Sequence, residues 1–83
     1  MVKRQGWAEL YAFQVDRTAG TPLFRQIYTQ MRWAILQHAL RPGTKLPSTR
    51  DLARRLGVSR NAVVAAYEQL LAEGYADDTK LVR

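Results

Sequence analysis

Residues 48–74 have the sequence STRDLARRLGVSRNAVVAAYEQLLAEG, which carries the strongest structural signals in the chain. Two segments with apolar residues at helical spacing flank a short joint at Gly57. Ser48 and Ser59 each stand where a helix N-cap is needed, and Asp51 follows Ser48 at the spacing of a capping box. The stretch therefore predicts two helices, the first from Ser48 to Gly57 and the second from Ser59 to the end of the stretch.

The residue types around the joint match the geometry of a helix-turn-helix. This motif packs two short helices at a steep angle, so it needs a small residue at the crossing and a joint residue that tolerates a left-handed backbone. Ala53 and Gly57 fill these two positions. A generic helical hairpin would not need both residues at this spacing, which favours the helix-turn-helix. Apolar residues flank the joint and return on the second helix, namely Leu52, Leu56, Val58, Val63 and Ala66.

A third, amphipathic helix is predicted upstream of this motif. Thr21 as N-cap and Pro22 as first helical residue mark its start, and the sequence Arg41-Pro42-Gly43 stops it after about Leu40. At 100° per residue, its apolar side chains fall within one arc of roughly 140°. These side chains are Leu23, Phe24, Ile27, Tyr28, Met31, Ala34 and Ile35.

Short β elements are predicted near both ends of the chain. In the N-terminal arm, residues 1–20, the apolar residues Tyr11, Phe13 and Val15 occupy alternating positions, and a period of two predicts a short strand. In the tail, residues 75–83, two apolar pairs surround a turn-prone centre, which predicts a small hairpin.

Length and composition limit the classes of function. The 83 residues are enough for one small domain, and the lack of cysteine excludes a disulfide framework and a thiolate metal site. No apolar run approaches the roughly 18 residues that span a bilayer, and the N-terminus lacks the apolar core of a signal peptide. We therefore expect a cytoplasmic protein without membrane association.

The charge of the chain points to a polyanionic partner. Thirteen Lys and Arg against seven Asp and Glu give a net charge of +6, and ten of the thirteen are arginine. The planar guanidinium matches both phosphate oxygens and guanine edges. Because the excess charge is large for so small a domain, nucleic acid is favoured ahead of a membrane surface.

The start of the second helix of the motif carries the chemistry of DNA recognition, because this end enters the major groove in a helix-turn-helix. Ser59 caps the helix and leaves backbone N–H groups near phosphate. Arg60 can bond bidentately to guanine O6 and N7, and Asn61 can do the same to adenine N6 and N7. Three further residues are candidates for the same interface: Lys45 and Thr49 as phosphate contacts, and Arg50 projecting to the same side.

Five segments carry the pattern of a known family: residues 21–28 (TPLFRQIY), 41–43 (RPG), 46–53 (LPSTRDLA), 56–61 (LGVSRN) and 66–75 (AYEQLLAEGY). Together they resemble the N-terminal winged-helix domain of GntR-type transcription regulators. Within that family, Val15-Asp16-Arg17 and the stretch from Ala66 to Leu70 are most similar to the MocR subfamily. The resemblance covers about residues 13 to 76 and therefore most of the chain.

The resemblance implies a mainly α fold, a three-helix winged helix-turn-helix over residues 21–83, with a short N-terminal strand. The helix-turn-helix occupies residues 48–74 and a short or truncated β-hairpin wing occupies residues 75–83. The resemblance also implies a ligand-responsive, usually dimeric regulator that binds double-stranded DNA. The family's DNA contacts fall on Arg50, Ser59, Arg60 and Asn61.

Regulators of the MocR type carry a C-terminal aminotransferase-like domain that binds pyridoxal phosphate through a lysine. Eighty-three residues do not accommodate that domain, so we expect no cofactor in this chain.

Two departures from the family pattern concern DNA affinity. The family's wing has a glycine-rich turn followed by a Gly-Thr-Phe-like strand, whereas this chain has residues 75–83, where Lys80 or Arg83 is the candidate for the minor-groove contact. Ala62 replaces a threonine that can hydrogen-bond phosphate. Both departures predict weaker DNA binding by this chain alone.

A second hypothesis is a winged-helix module that binds protein and not DNA. Trp33 supports it, because it falls at about 280° on the helical wheel, away from the apolar arc. Trp33 either forms a docking surface for a second copy or a downstream domain, or is covered by Trp7 and Tyr11 of the arm. The sequence is compatible with both interpretations of Trp33.

No enzymatic or metal site is expected. His38 has no second histidine and no cysteine near it, so it is not a credible metal ligand and is better placed to interact with the end of the first helix. No Ser–His–Asp or paired-carboxylate arrangement can be assigned, because the acidic residues lie at caps, turns and solvent faces.

Overall fold

A computed structural model describes residues 12–83, which form three helices. Helix α1 spans Leu23–Leu36, α2 spans Thr49–Leu56 and α3 spans Arg60–Ala72. Helix α3 packs against both α1 and α2 and therefore lies at the centre of the domain. The predicted mainly α, three-helix fold is confirmed.

Both helices of the helix-turn-helix begin at their predicted caps. The Ser48 hydroxyl oxygen accepts a hydrogen bond from the Asp51 amide at 3.1 Å, and the Ser59 hydroxyl oxygen accepts one from the Ala62 amide at 3.2 Å. Gly57 ends α2 in the left-handed region, with φ 69° and ψ 34°. An added Cβ at Gly57 would meet no atom within 4 Å. The joint therefore requires glycine for its backbone conformation rather than for space.

The start of α1 differs from the prediction by one residue. Pro22, with an extended ψ of 148°, is the N-cap in place of Thr21, and its carbonyl accepts hydrogen bonds from the amides of Arg25 and Gln26. The Thr21 carbonyl instead accepts a hydrogen bond from the Gln26 side chain at 2.8 Å. Local cap signals are ambiguous by one residue here because Thr-Pro offers two adjacent candidates.

The end of α1 also differs, since the helix stops at Leu36 and not at about Leu40. His38 adopts a positive φ of 63°, which terminates the helix. The amides of Ala39 and Leu40 then donate to the carbonyl of Ala34 at 2.8 and 3.1 Å. This closure turns Leu40 inward, where it is fully buried although it lies beyond the helix.

The core lies where the three helices meet. Tyr67 of α3 is buried there, and its hydroxyl donates to the carbonyl of Pro47 at 2.7 Å, which ties α3 to the connector before α2. Among residues 12–83 no polar side chain other than this tyrosine enters the core. The buried apolar residues are Ile27, Met31, Ala34, Ile35, Leu40, Leu46, Leu52, Ala53, Val63, Ala66, Tyr67, Leu70, Ala76 and Val82.

The tail forms the predicted small hairpin. Ala76 pairs with Val82 in antiparallel fashion. In the turn between them, the Asp77 carboxylate accepts hydrogen bonds from the Thr79 amide at 2.9 Å and the Thr79 hydroxyl at 2.6 Å, and Lys80 adopts a φ of 66°. A side-chain-stabilised turn therefore replaces the glycine-rich turn of the family pattern.

The connector between α1 and α2 pairs with this hairpin, which the sequence did not predict. The Leu46 amide donates to the Lys80 carbonyl, and the Val82 amide donates to the Thr44 carbonyl, both at 2.9 Å. Lys45 pairs with Leu81 between them. The wing is thereby fixed to the segment that leads directly into α2.

The predicted N-terminal strand is wrong for the part of it that the structure describes. Phe13 and Val15 are not in a strand, and Tyr11 lies outside the described residues. The alternation itself is real, because Phe13 and Val15 are partly buried against the core while Gln14 between them is exposed. The pattern correctly indicated an extended segment with one buried face but not its hydrogen-bonding partners.

Two glutamine side chains of α1 take the place of a neighbouring strand. The Gln30 amide donates to the Gln14 carbonyl at 2.8 Å and accepts from the Gln14 amide at 3.3 Å. The Gln26 amide does the same with Asp16, at 3.0 and 2.8 Å. A carboxamide offers the same donor and acceptor as a peptide group, so it can satisfy extended backbone without a sheet.

A polar cluster joins α1 to the end of α3. The Tyr28 hydroxyl donates to one oxygen of the Glu73 carboxylate, and the Gln69 amide donates to the other at 2.7 Å. The hydrogen bond from Tyr28, and next that from Gln69, hold the pKa of Glu73 below its ordinary value of 4.5. The stabilisation from this ionised carboxylate is present above pH 4.5 and is lost as the pH falls through the lowered pKa.

Tyr28→Phe is expected to raise the pKa of Glu73 toward 4.5, because the stronger of its two hydrogen bonds is removed. An NMR titration of the Glu73 carboxyl group measures this shift. Tyr75→Phe is the matched control and should shift this pKa less, since it leaves both hydrogen bonds of Glu73 in place and removes only the acceptor of Arg32. A Glu73 pKa that is the same in wild type and Tyr28→Phe would contradict the proposed cause.

Candidate nucleic-acid interface

Three of the predicted DNA-binding residues line one open groove between α3 and the wing. Thr49 comes from the first turn of α2, Arg60 from the first residue of α3, and Lys80 from the turn of the wing. Their convergence follows from the capping of both helices and from the pairing of the wing with the connector. The other residues that line the groove are Val64, Tyr67, Glu68, Leu71 and Asp78.

Arg60 is held in place by Thr49. The Nε atom of Arg60 donates to the Thr49 hydroxyl oxygen at 3.2 Å, across the joint between α3 and α2. A bidentate contact with guanine can still use the two terminal nitrogens of the guanidinium. The sequence placed Thr49 at the interface as a phosphate contact, but did not indicate that it orients Arg60.

The other predicted contacts lie close by in the chain but do not line the groove. Asn61 is exposed in the first turn of α3, and Arg50 is exposed in the first turn of α2. Ser59 is exposed at the start of α3 while its hydroxyl oxygen caps that helix. Lys45 is exposed in the connector, where its backbone pairs with Leu81 of the wing.

Two carboxylates that were not predicted as site residues share the groove with these cations. Glu68 lies two helical turns beyond Arg60 on α3, and Asp78 lies in the turn of the wing beside Lys80. Both are exposed, so they oppose an approaching phosphate but can accept a hydrogen bond from cytosine N4. The spacing of Arg60, Val64 and Glu68 at intervals of four was the sequence signal that places them on one helical face.

Trp33 lies off the core, as the helical wheel predicted, and 62% of its surface is exposed. It lines a separate, mostly apolar depression together with Phe13 of the arm and Ala39 beyond α1. Trp7 and Tyr11, which were predicted as an alternative cover for Trp33, lie outside the described residues. Both interpretations of Trp33 therefore stay predictions.

The described residues contain no helix that is long and apolar enough to cross a membrane. Nor does the described part of the chain bring together three His, Cys, Asp or Glu side chains that could hold a metal ion. His38 is exposed and forms the left-handed residue just beyond α1, so its backbone rather than its imidazole defines its place in the fold.

Comparison with known proteins agrees with the helix-turn-helix geometry. Residues 23–77 match the family described as bacterial regulatory proteins of the gntR family. The solved structure of YtrA from Sulfolobus acidocaldarius, a GntR-family transcription factor, is similar with a TM-score of 0.76 and 38% sequence identity. That similarity covers 84% of this chain and 77% of the YtrA chain.

Curated relatives are named as regulators and not as enzymes. The chain is 49% identical to the probable rhizopine catabolism regulatory protein MocR of Rhizobium meliloti over 63 residues, and this alignment covers 76% of this chain and 13% of that protein. It is 51% identical to the HTH-type transcriptional regulator Rv1152 of Mycobacterium tuberculosis over 57 residues, and this alignment covers 69% of this chain and 47% of that protein. The chain thus spans less than half the length of these relatives. With a match from α1 into the wing and a similar solved fold, the chain belongs to the GntR family of bacterial regulatory proteins.

Proposed function

We propose that this chain is the DNA-binding domain of a transcription regulator. It binds double-stranded DNA sequence-specifically, with α3 in the major groove. The observation that carries the proposal is the hydrogen bond from Arg60 to Thr49, which fixes a guanidinium at the start of α3. Preorganised arginine at this end of a recognition helix suits direct contact with a guanine edge. The family membership supplies the DNA-binding context.

The proposed contacts divide into base contacts and backbone contacts. Arg60 and Asn61 face base edges and supply sequence preference. Lys80 extends the interface to the wing, with the acidic Asp78 beside it limiting its contribution. The phosphate contacts are assigned to Lys45, Thr49, Arg50 and Ser59, which precede or begin the two helices of the motif.

The acting species is proposed to be a homodimer on two half-sites. The two recognition helices would then lie about 34 Å apart, which is one turn of B-DNA. A single copy binds weakly because one small module buries little surface on DNA. The protein-binding alternative is not favoured, because the named relatives are transcriptional regulators.

In the experiment, two copies of the chain are joined by a flexible linker, which enforces the dimer. This linked dimer is used to select duplexes from a random-sequence pool. We expect enrichment of paired half-sites. We also expect the affinity to fall steeply with salt: the logarithm of the binding constant should fall linearly with the logarithm of the salt concentration, with a slope of about 0.9 for each phosphate neutralised. Arg60→Ala is expected to relax the sequence preference and to leave the slope nearly unchanged, because Arg60 is assigned to a base edge and not to phosphate. Absence of binding to any duplex at low salt, with the linked dimer folded, would overturn the proposal and leave the protein-binding module.

The cofactor prediction is tested separately. The domain proposed here binds no pyridoxal phosphate, which in MocR-type regulators belongs to the aminotransferase-like domain. Adding pyridoxal phosphate to the 83-residue chain should therefore leave the DNA affinity and the melting temperature unchanged.

A further inference from the structure

The N-terminal arm is fastened to α1 and ends in a tight turn. The backbone of the arm is paired with the Gln26 and Gln30 side chains at Asp16 and Gln14. In addition, the Asp16 carboxylate accepts hydrogen bonds from the Thr18 amide at 2.9 Å and the Thr18 hydroxyl at 2.6 Å. The Ala19 amide closes the turn on the Asp16 carbonyl at 3.2 Å. The hydrogen bond from the Thr18 hydroxyl, above all, keeps the pKa of Asp16 below its ordinary value.

This turn carries Arg17 to the joint of the helix-turn-helix. A terminal nitrogen of the Arg17 guanidinium donates to the carbonyl of Gly57, 40 residues away in sequence. Gly57 precedes the cap of α3 by two residues, so the guanidinium lies beside the start of the proposed recognition helix. Arg17 is exposed there; its side chain is held at Gly57, and the backbone of the preceding Asp16 is held by the Gln26 side chain of α1.

The charge around the joint is positive. Arg54 and Arg55 occupy the last turn of α2, and Arg60 begins α3 on the other side of Gly57. The carboxylate of Asp16 accepts two hydrogen bonds from Thr18, which direct it into its own turn. An additional fixed cation at this place extends the basic surface from α3 onto the arm.

We propose that Arg17 is a further phosphate-contacting residue of the DNA-binding surface. The inference rests on the proposed function. A guanidinium has five N–H donors, and the bond to Gly57 uses one of them, which anchors the group while others face solvent. Arginine contacts to phosphate fix the register of the protein on the duplex without reading a base.

The test measures the salt dependence of binding to a labelled, mixed-sequence duplex of about three helical turns, because phosphate contacts do not depend on sequence. Arg17→Gln removes the charge and keeps a polar side chain. We expect it to reduce the log–log slope by about 0.9, the value for one phosphate. Arg17→Lys keeps the charge and is expected to keep the slope.

Arg41→Gln is the matched control, because Arg41 is an exposed arginine in the loop beyond α1 that is not among the proposed DNA contacts, and its loss should leave the slope unchanged. An Arg17→Gln slope equal to that of wild type, with or without a fall in affinity, would overturn the phosphate contact. A linked wild-type dimer that binds no duplex at low salt would instead overturn the proposed function itself.

A measurement on the wild-type protein covers the case in which Arg17→Gln does not fold. The side-chain N–H signals of Arg17 in an NMR spectrum should shift on addition of the same duplex, and those of Arg41 should not. Unchanged Arg17 signals under conditions where the backbone signals of α3 shift would also overturn the inference.

Discussion

Replacing Leu70 by alanine is expected to lower the free energy of unfolding by about 2–5 kcal/mol, whereas Leu71→Ala lowers it by less than about 1 kcal/mol. The two residues are adjacent on α3 and undergo the same chemical change. Leu70 is fully buried, but 37% of the surface of Leu71 is exposed. The difference between the variants therefore isolates burial from helix propensity.

The loss at Leu70 is large relative to the stability of so small a domain. At typical values per residue, 83 residues have a total unfolding free energy of about 4–12 kcal/mol. Leu70 lies on the central helix, and its carbonyl accepts the Tyr75 amide at 2.9 Å, at the start of the wing. A cavity at Leu70 therefore removes packing from the helical core next to Tyr75, where the wing begins.

Urea unfolding followed by circular dichroism measures both variants. Because only the stability changes, the midpoint should fall in Leu70→Ala while the slope of the free energy with urea stays constant. Equal losses in the two variants would show that Leu70 is not in the core as described.

The helix-turn-helix could be predicted from sequence because its determinants are local. Ser48 and Ser59 cap amides three residues away, and Gly57 supplies a left-handed joint that few other residues adopt. These signals span less than one turn of helix, so no tertiary information was required. The hairpin of the tail was predictable for the same reason, since Asp77 and Thr79 stabilise their own turn.

The arm could not be predicted in the same way. Its extended backbone is satisfied by the side chains of Gln26 and Gln30, which lie 10 and 16 residues further along the chain on α1 and carry no strand signal. The contact of Arg17 with Gly57 likewise joins residues that are 40 positions apart. A period of two reports one buried face but not the group that completes the hydrogen bonds.

The candidate site was predicted by residue type but not by arrangement. Arg60 followed from the chemistry of guanine recognition at the start of a helix. The orientation of its side chain by Thr49, and the presence of Glu68 and Asp78 in the same groove, depend on how α2, α3 and the wing pack. Such relations arise from tertiary packing. The spacing of Arg60, Val64 and Glu68 indicates one shared helical face, but not the groove that this face lines.

Arg60→Ala is expected to weaken binding to the selected DNA site by about 1–3 kcal/mol, a factor of roughly 5 to 150, and to relax the preference at one base pair. Affinity for mixed-sequence DNA should fall much less, because most contacts go to the backbone. Fluorescence anisotropy with the selected site, and with variants of each base pair, measures both effects. Arg41→Ala, an exposed arginine beyond α1, should change neither.

Thr49→Val separates the orientation of Arg60 from its charge. Valine keeps the shape of threonine but cannot accept the hydrogen bond from Arg60 Nε, so we expect a smaller loss of about 0.5–1.5 kcal/mol at the selected site. Because Thr49 acts partly through Arg60, the double variant should lose less than the sum of the two single losses. Fully additive losses would mean that Thr49 contacts phosphate without orienting Arg60. An Arg60→Ala variant that keeps wild-type preference at every base pair would remove Arg60 from base recognition altogether.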